Sequence, residues 1–133
     1  MGAWGSDSFD NDDASDWIAD FCEAPHPTLV VKALLAVANV DASEYLEAPD
    51  CSVGIAAAEV VAAVKGAPNV NLSYDAKNCL SSLKIEAEPS LVRLALKTIA
   101  RIKTNSELKE LWDESEKREE WYQALSDLEG RLH

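Results

Sequence analysis

Residues 51–65 read CSVGIAAAEVVAAVK and residues 28–41 read TLVVKALLAVANVD, two stretches that are apolar on almost every side. A helix that is apolar all round has no solvent-facing side, so both stretches are expected to be interior helices at the centre of the fold. Gly66 directly follows the first stretch, in the place that glycine often takes where a helix ends. Neither stretch is long enough to cross a bilayer, which takes about twenty apolar residues.

Apolar residues at steps of three and four predict further helices on both sides of this centre. These are a first helix capped by Asp10, followed by helices over 74–83, 89–103, 107–112 and 116–132. The segment from Leu83 to Ala87 alternates apolar and charged residues, but it is too isolated to build a sheet. We therefore expect an all-α fold, a compact bundle of six or seven helices with an irregular glycine- and tryptophan-containing lead-in. The 133 residues are expected to form a single domain.

Acidic residues dominate the first part of the chain and balance the basic ones in the rest. Residues 1–60 hold twelve acidic side chains and one basic one, Lys32, whereas residues 61–133 hold twelve acidic and eleven basic ones; the net charge is −12. This distribution argues against binding to nucleic acid or to an anionic membrane surface, because both favour a cationic footprint. A basic protein is the favoured kind of partner. The alternative is that the charge serves solubility alone.

The first predicted helix concentrates this charge on one side, where Asp12, Asp16 and Asp20 stand four residues apart. Like charges at that spacing repel by about 0.2–0.5 kcal/mol per pair, and nothing within the helix offsets the repulsion. We interpret this row as a candidate partner-binding surface, with Trp4 and Tyr45 as aromatic anchors. A small acidic helical protein of this kind could mask the cationic surface of a toxin, as immunity proteins do. In the competing interpretation the row pairs internally with the basic side of the helix over 89–103, which carries Arg93, Lys97 and Arg101.

Glu59 is the one charged residue between Cys51 and Val64 of the central stretch, and its four neighbours on either side are apolar. A buried carboxylate must be paired, hydrogen-bonded or protonated, which makes Glu59 a candidate functional residue. The interpretation that we favour from the sequence is that Glu59 lies on a solvated strip of the helix, in line with Ser52.

No catalytic residue, cofactor or metal site is predicted. The two histidines are His26, between two prolines, and His133, the last residue; nucleotide-binding and nucleophile motifs are absent from the sequence. Cys22 and His26 have a metal-like spacing but no second pair of ligands accompanies them. We expect a non-enzymatic binding module, and a carboxylate-based enzyme is the lesser alternative.

The three cysteines, Cys22, Cys51 and Cys79, are odd in number and lie near apolar residues. They are expected to be buried free thiols in a reducing compartment. A signal peptide has a basic region followed by an apolar run, and this pattern is not present at the start of the sequence. Together these observations predict a cytoplasmic protein, and they leave its oligomeric state open.

Motifs at both ends of the chain resemble those of one family of small, mostly bacterial proteins. The N-terminal motif consists of Gly2-Ala3-Trp4-Gly5, then Phe9-Asp10-Asn11-Asp12 and Asp16-Trp17; the C-terminal one is Ser106-Glu107-Leu108-Lys109-Glu110-Leu111-Trp112 with a later Trp121. They are similar to the signatures of the DUF4259 family. Since the function of that family is unknown, the resemblance implies a fold and no activity.

Overall fold

The computed structural model describes residues 5–133, and within this range the chain is all α-helical, without strands. This confirms the predicted fold class. The lead-in predicted around Gly2 and Trp4 lies mostly outside the described residues, and residues 5–10 follow as bends and turns. The seven helices of the described range are α1 (Asp12–Glu23), α2 (Pro27–Ala38), α3 (Ala48–Val64), α4 (Tyr74–Ser81), α5 (Pro89–Thr104), α6 (Glu107–Asp113) and α7 (Arg118–Leu132).

Helix α3 is the centre of the bundle, as its composition predicted, and the other six helices pack against it or against its direct neighbours. Almost every residue of α3 from Cys51 to Ala62 is buried. Helix α3 comes close to two other helices at Gly54, where a Cβ atom would lie 2.9 Å from Val37 Cγ2 of α2 and 3.2 Å from Thr98 Cγ2 of α5. The absence of a side chain at Gly54 therefore lets α2, α3 and α5 meet.

Helix ends differ from the predicted bounds by a few residues, for local reasons. Asn11, and not Asp10, caps α1: its side chain accepts from the backbone N–H of Ala14 at 2.8 Å. The backbone N–H of Asp10 instead donates to Asp7 in the preceding turn. Helix α3 begins at Ala48, three residues before the predicted start, because a carboxylate of α6 accepts the free N–H of Ala48. At its other end Gly66 has a φ of +97°, the left-handed conformation expected of glycine there.

None of the helices in residues 5–133 is long and apolar enough to cross a membrane.

Candidate functional site

The exposed side of α1 carries a group of four aspartates, which we call the acidic face: Asp12, Asp13, Asp16 and Asp20. The opposite side of α1 is fixed in the bundle by Ala14, Ile18 and Phe21, which are all buried. Trp17 stacks on Phe21 with ring centroids 5.3 Å apart. Because the apolar side packs against α3, the orientation of α1 directs the acidic face to solvent.

Five ion pairs form among residues 5–133, and none of them involves the acidic face. Arg93 and Lys97 of α5 are exposed and belong to none of the five pairs either. The third member of the basic row, Arg101, donates to backbone carbonyls of the α2–α3 connection, at Asp41 and Glu44. The proposed internal pairing of the aspartate row with α5 therefore has no ion pair to support it within the described residues.

Glu59 is buried, with 1% of its surface exposed, so the favoured interpretation of a solvated strip is wrong. Ser52, one of the residues of that supposed strip, is buried as well. The reason is that α3 is enclosed on all sides: α7 and the lead-in cover the side on which Glu59 lies. The alternative interpretation, a buried carboxylate with partners, is the one that the structure confirms.

Four hydrogen bonds occupy both oxygens of the Glu59 carboxylate. Arg131 of α7 forms a bidentate pair with it, Nη1 to Oε1 at 2.8 Å and Nη2 to Oε2 at 3.1 Å. Ser8 Oγ donates to Oε2 at 2.6 Å, and Asn69 Nδ2 donates to the same oxygen at 3.0 Å. The same Asn69 amide also donates to Asp7 Oδ1 at 3.0 Å. We call Ser8, Glu59, Asn69 and Arg131 the buried polar junction, because it ties the lead-in, α3, the α3–α4 connection and α7 together.

The charges of the buried polar junction are paired and shielded from solvent. Burial lowers the pKa of Arg131, but its hydrogen bonds to Glu59 and Asp127 outweigh this effect, so the pKa is raised overall. The cavity beside Ser8 has a volume of about 20 Å³, enough for one water molecule and far below that of a substrate pocket. The donors of the junction thus bind both oxygens of the Glu59 carboxylate, which is 1% exposed.

The profile of one protein family, described as Domain of unknown function (DUF4259), matches residues 2–124 of the 133. The chain belongs to the DUF4259 family. No match was found among curated proteins, and none among solved structures. The range shared with DUF4259 includes the acidic face and Glu59, whereas Arg131 lies beyond its end.

Of the two aromatic anchors predicted for this DUF4259 chain, Trp4 lies outside the described residues and Tyr45 lies in the α2–α3 connection. Tyr45 is 61% exposed, and its hydroxyl donates to Glu107 Oε2 of α6 at 2.9 Å. This hydrogen bond raises the pKa of Tyr45 to about 12. Its hydrogen bond thus joins Tyr45 to α6, and no hydrogen bond joins it to the acidic face among the described residues.

The prediction of three free thiols is wrong for two of the cysteines, since Cys22 and Cys79 form a disulfide. The last turn of α1 and the end of α4 lie side by side, with the two Cα atoms 5.8 Å apart, a separation that suits a disulfide. Cys51 is free and buried, and its burial raises its pKa to about 11. Among residues 5–133 there is no group of three metal-ligating side chains, and the Cys22 sulfur, being bonded to Cys79, is not a thiolate ligand.

Proposed function

We propose that the protein is a non-enzymatic binding module whose acidic face binds a basic partner protein, as an immunity- or antitoxin-type protein binds a cationic toxin. The observation that carries the proposal is that the four aspartates of the acidic face are exposed on a packed helix. None of them takes part in the ion pairs of the described residues. The charge of this face is therefore free to be neutralised by a partner.

The rigidity of α1 supports this role on physical grounds. Asp12, Asp16 and Asp20 succeed one another every four residues, which corresponds to steps of about 6 Å along a helix. A row held in place loses little conformational entropy on binding, because the helix is ordered before the partner arrives. A one-sided negative potential also increases the association rate with a positively charged surface, and added salt weakens that effect.

The triple variant Asp12→Asn, Asp16→Asn, Asp20→Asn tests the proposal. The partner to use is a cationic toxin encoded beside the protein's gene, with affinity measured by titration calorimetry. We expect the triple variant to lose affinity by about tenfold or more, since three charge pairs with the partner are removed at once. The dependence of the affinity on salt should also become weaker.

A matched control exchanges three other exposed acids for their amides, which changes the net charge by the same amount: Glu116→Gln just before α7, and Glu119→Gln and Glu120→Gln in its first turn. This control should retain the affinity within about threefold, because it leaves the acidic face intact. Equal losses in the two triple variants would contradict the proposed site. Retained affinity in the aspartate variant would contradict it as well.

The other interpretations have less support. A stand-alone domain with an internally paired acidic face has no ion pair between α1 and α5 in the described residues to rest on. A carboxylate-based enzyme built on Glu59 would need that carboxylate to be accessible, and it is already bound by Arg131, Ser8 and Asn69. The binding module thus remains the proposal.

The cytoplasmic location belongs to the proposal too. One of the two observations behind it, the three free thiols, does not hold, because Cys22 and Cys79 form a disulfide. Disulfides persist in oxidising compartments and are rare in a reducing cytosol, so the Cys22–Cys79 bond favours an oxidising environment. Trapping the thiols with an alkylating reagent at the moment of cell lysis, followed by mass measurement, would report which state the cell maintains.

A further inference from the structure

Residues 83–88, with the sequence LKIEAE, connect α4 to α5 without helix, turn or bend. Their exposure alternates with a period of two: Leu83, Ile85 and Ala87 are half-buried, whereas Lys84, Glu86 and Glu88 are exposed. A period of two is that of an extended strand with one side against the core. The alternation seen in the sequence therefore corresponds to alternating burial in the structure. The segment itself has no partner strand among the described residues.

The backbone of this segment is unpaired within residues 5–133. From Lys84 to Ala87, neither the N–H nor the C=O groups have a hydrogen-bond partner among backbone groups there. Open grooves flank the segment on two sides. One, of about 340 Å³, is lined by Pro25 and Cys79 among others, and the second, of about 500 Å³, by Val31 and Leu94 among others. An extended backbone with free hydrogen-bonding groups and space beside it is a template for another strand.

The charges of the segment specify which strand fits. When the segment is paired antiparallel with a copy of itself so that Ile85 lies opposite Ile85, Lys84 lies opposite Glu86 of the second copy. By symmetry this pair occurs twice. Opposite charges in directly facing positions stabilise a strand pair, and like charges destabilise it. Of the two neighbouring even registers, one places Glu86 opposite Glu86, with Lys84 opposite Glu88, and the other places Lys84 opposite Lys84. A shift by one residue would place apolar side chains opposite charged ones.

We propose that residues 83–88 form the interface of a two-fold symmetric dimer, in which the segments of two copies pair as antiparallel strands in the Ile85-to-Ile85 register. The self-complementary placement of Lys84 and Glu86 favours a second copy over an unrelated peptide. Leu83 of each copy then lies opposite Ala87 of the other on the half-buried side. The net charge of −12 opposes association at long range, so the dimer forms at moderate salt, where the screening length is about 8 Å.

Charge exchange at the two positions tests both the interface and its register, with the association state measured by sedimentation velocity of the full chain. The wild type is expected to dimerise with rising concentration. Lys84→Glu and Glu86→Lys each turn both attractive pairs into repulsive ones, so each variant alone should weaken the dimer by about tenfold or more. The double variant Lys84→Glu/Glu86→Lys should restore dimerisation, and so should an equimolar mixture of the two single variants.

Lys77→Glu and Glu116→Lys serve as matched controls, since they alter the net charge equally at other exposed positions and should leave the dimer unchanged. Circular dichroism of every variant establishes that it is folded, and both exchanged side chains are exposed. A wild type that stays monomeric at every concentration overturns the proposal. It does so even if the segment turns out to pair with a peptide from another protein. Single variants that dimerise like the wild type overturn it too, and so does a mixture that fails to associate.

Discussion

Replacing Arg131 by methionine is expected to lower the free energy of unfolding by about 3–5 kcal/mol, the largest effect of any single substitution that we predict. The substitution keeps most of the apolar stem but removes the guanidinium that pairs with Glu59 at 2.8 Å and 3.1 Å. The Glu59 carboxylate would then be left at 1% exposure with only Ser8 and Asn69 as donors. Urea denaturation followed by circular dichroism measures the change.

A second substitution distinguishes two causes of this loss of stability: an unpaired buried charge at Glu59 and the loss of packing at Arg131. Adding Glu59→Gln to Arg131→Met removes the charge but keeps an acceptor for Ser8 and Asn69, so the double variant should recover about 2 kcal/mol of the loss. The control is Arg118→Met, because Arg118 pairs with Asp113 at the surface with 60% of its side chain exposed. It should cost no more than about 1 kcal/mol. A loss of no more than about 1 kcal/mol for Arg131→Met would contradict a stabilising role of the buried polar junction. A double variant that is no more stable than Arg131→Met alone would contradict it as well.

Removing the Cys22–Cys79 disulfide by the double exchange to serine is expected to lower the free energy of unfolding by about 4 kcal/mol. The bond closes a loop between residues 57 positions apart, and this cross-link restricts the unfolded chain far more than the folded one. It also fixes α4, a helix of eight residues that packs mainly on α1 and α3. Thermal melting of the wild type with and without dithiothreitol provides a second measurement of the same loss.

The control for this experiment is dithiothreitol on the double serine variant itself, which should leave the melting temperature unchanged. Cys51 is then the one remaining thiol, and its burial, with its pKa raised to about 11, protects it from reagents at neutral pH. A wild type whose melting temperature is the same with and without the reductant would rule out a stabilising disulfide.

The fold was predictable from the sequence because its decisive features are local. The all-round apolar character of residues 28–41 and 51–65 identified the interior helices, and the spacing of three and four identified the outer ones. Helix ends were predicted less well where a distant residue fixes them. Glu107, 59 residues away, accepts the N–H of Ala48, and no local signal in the sequence reports that contact.

The buried polar junction was not predictable, although a hint of it was visible. A carboxylate between apolar neighbours requires a partner, and this requirement was recognised at Glu59. Identifying Arg131 as that partner requires knowing that α7 packs across α3, over 72 positions of sequence separation. Ser8 and Asn69 gave no signal, because a serine in a lead-in and an asparagine in a loop are typical of turns. The disulfide was missed for the same reason: the proximity of Cys22 and Cys79 is a property of the tertiary structure.

We propose that α1 is held rigidly by its buried side, and that the buried polar junction fixes the lead-in directly before it, so that the acidic face has a fixed orientation towards a partner. Native-state hydrogen exchange of the backbone amides from Trp17 to Glu23 tests it most directly. We predict that these amides exchange only through global unfolding, with the same free energy of opening as the amides of α3. Rapid exchange throughout α1 while α3 stays protected would contradict the claim.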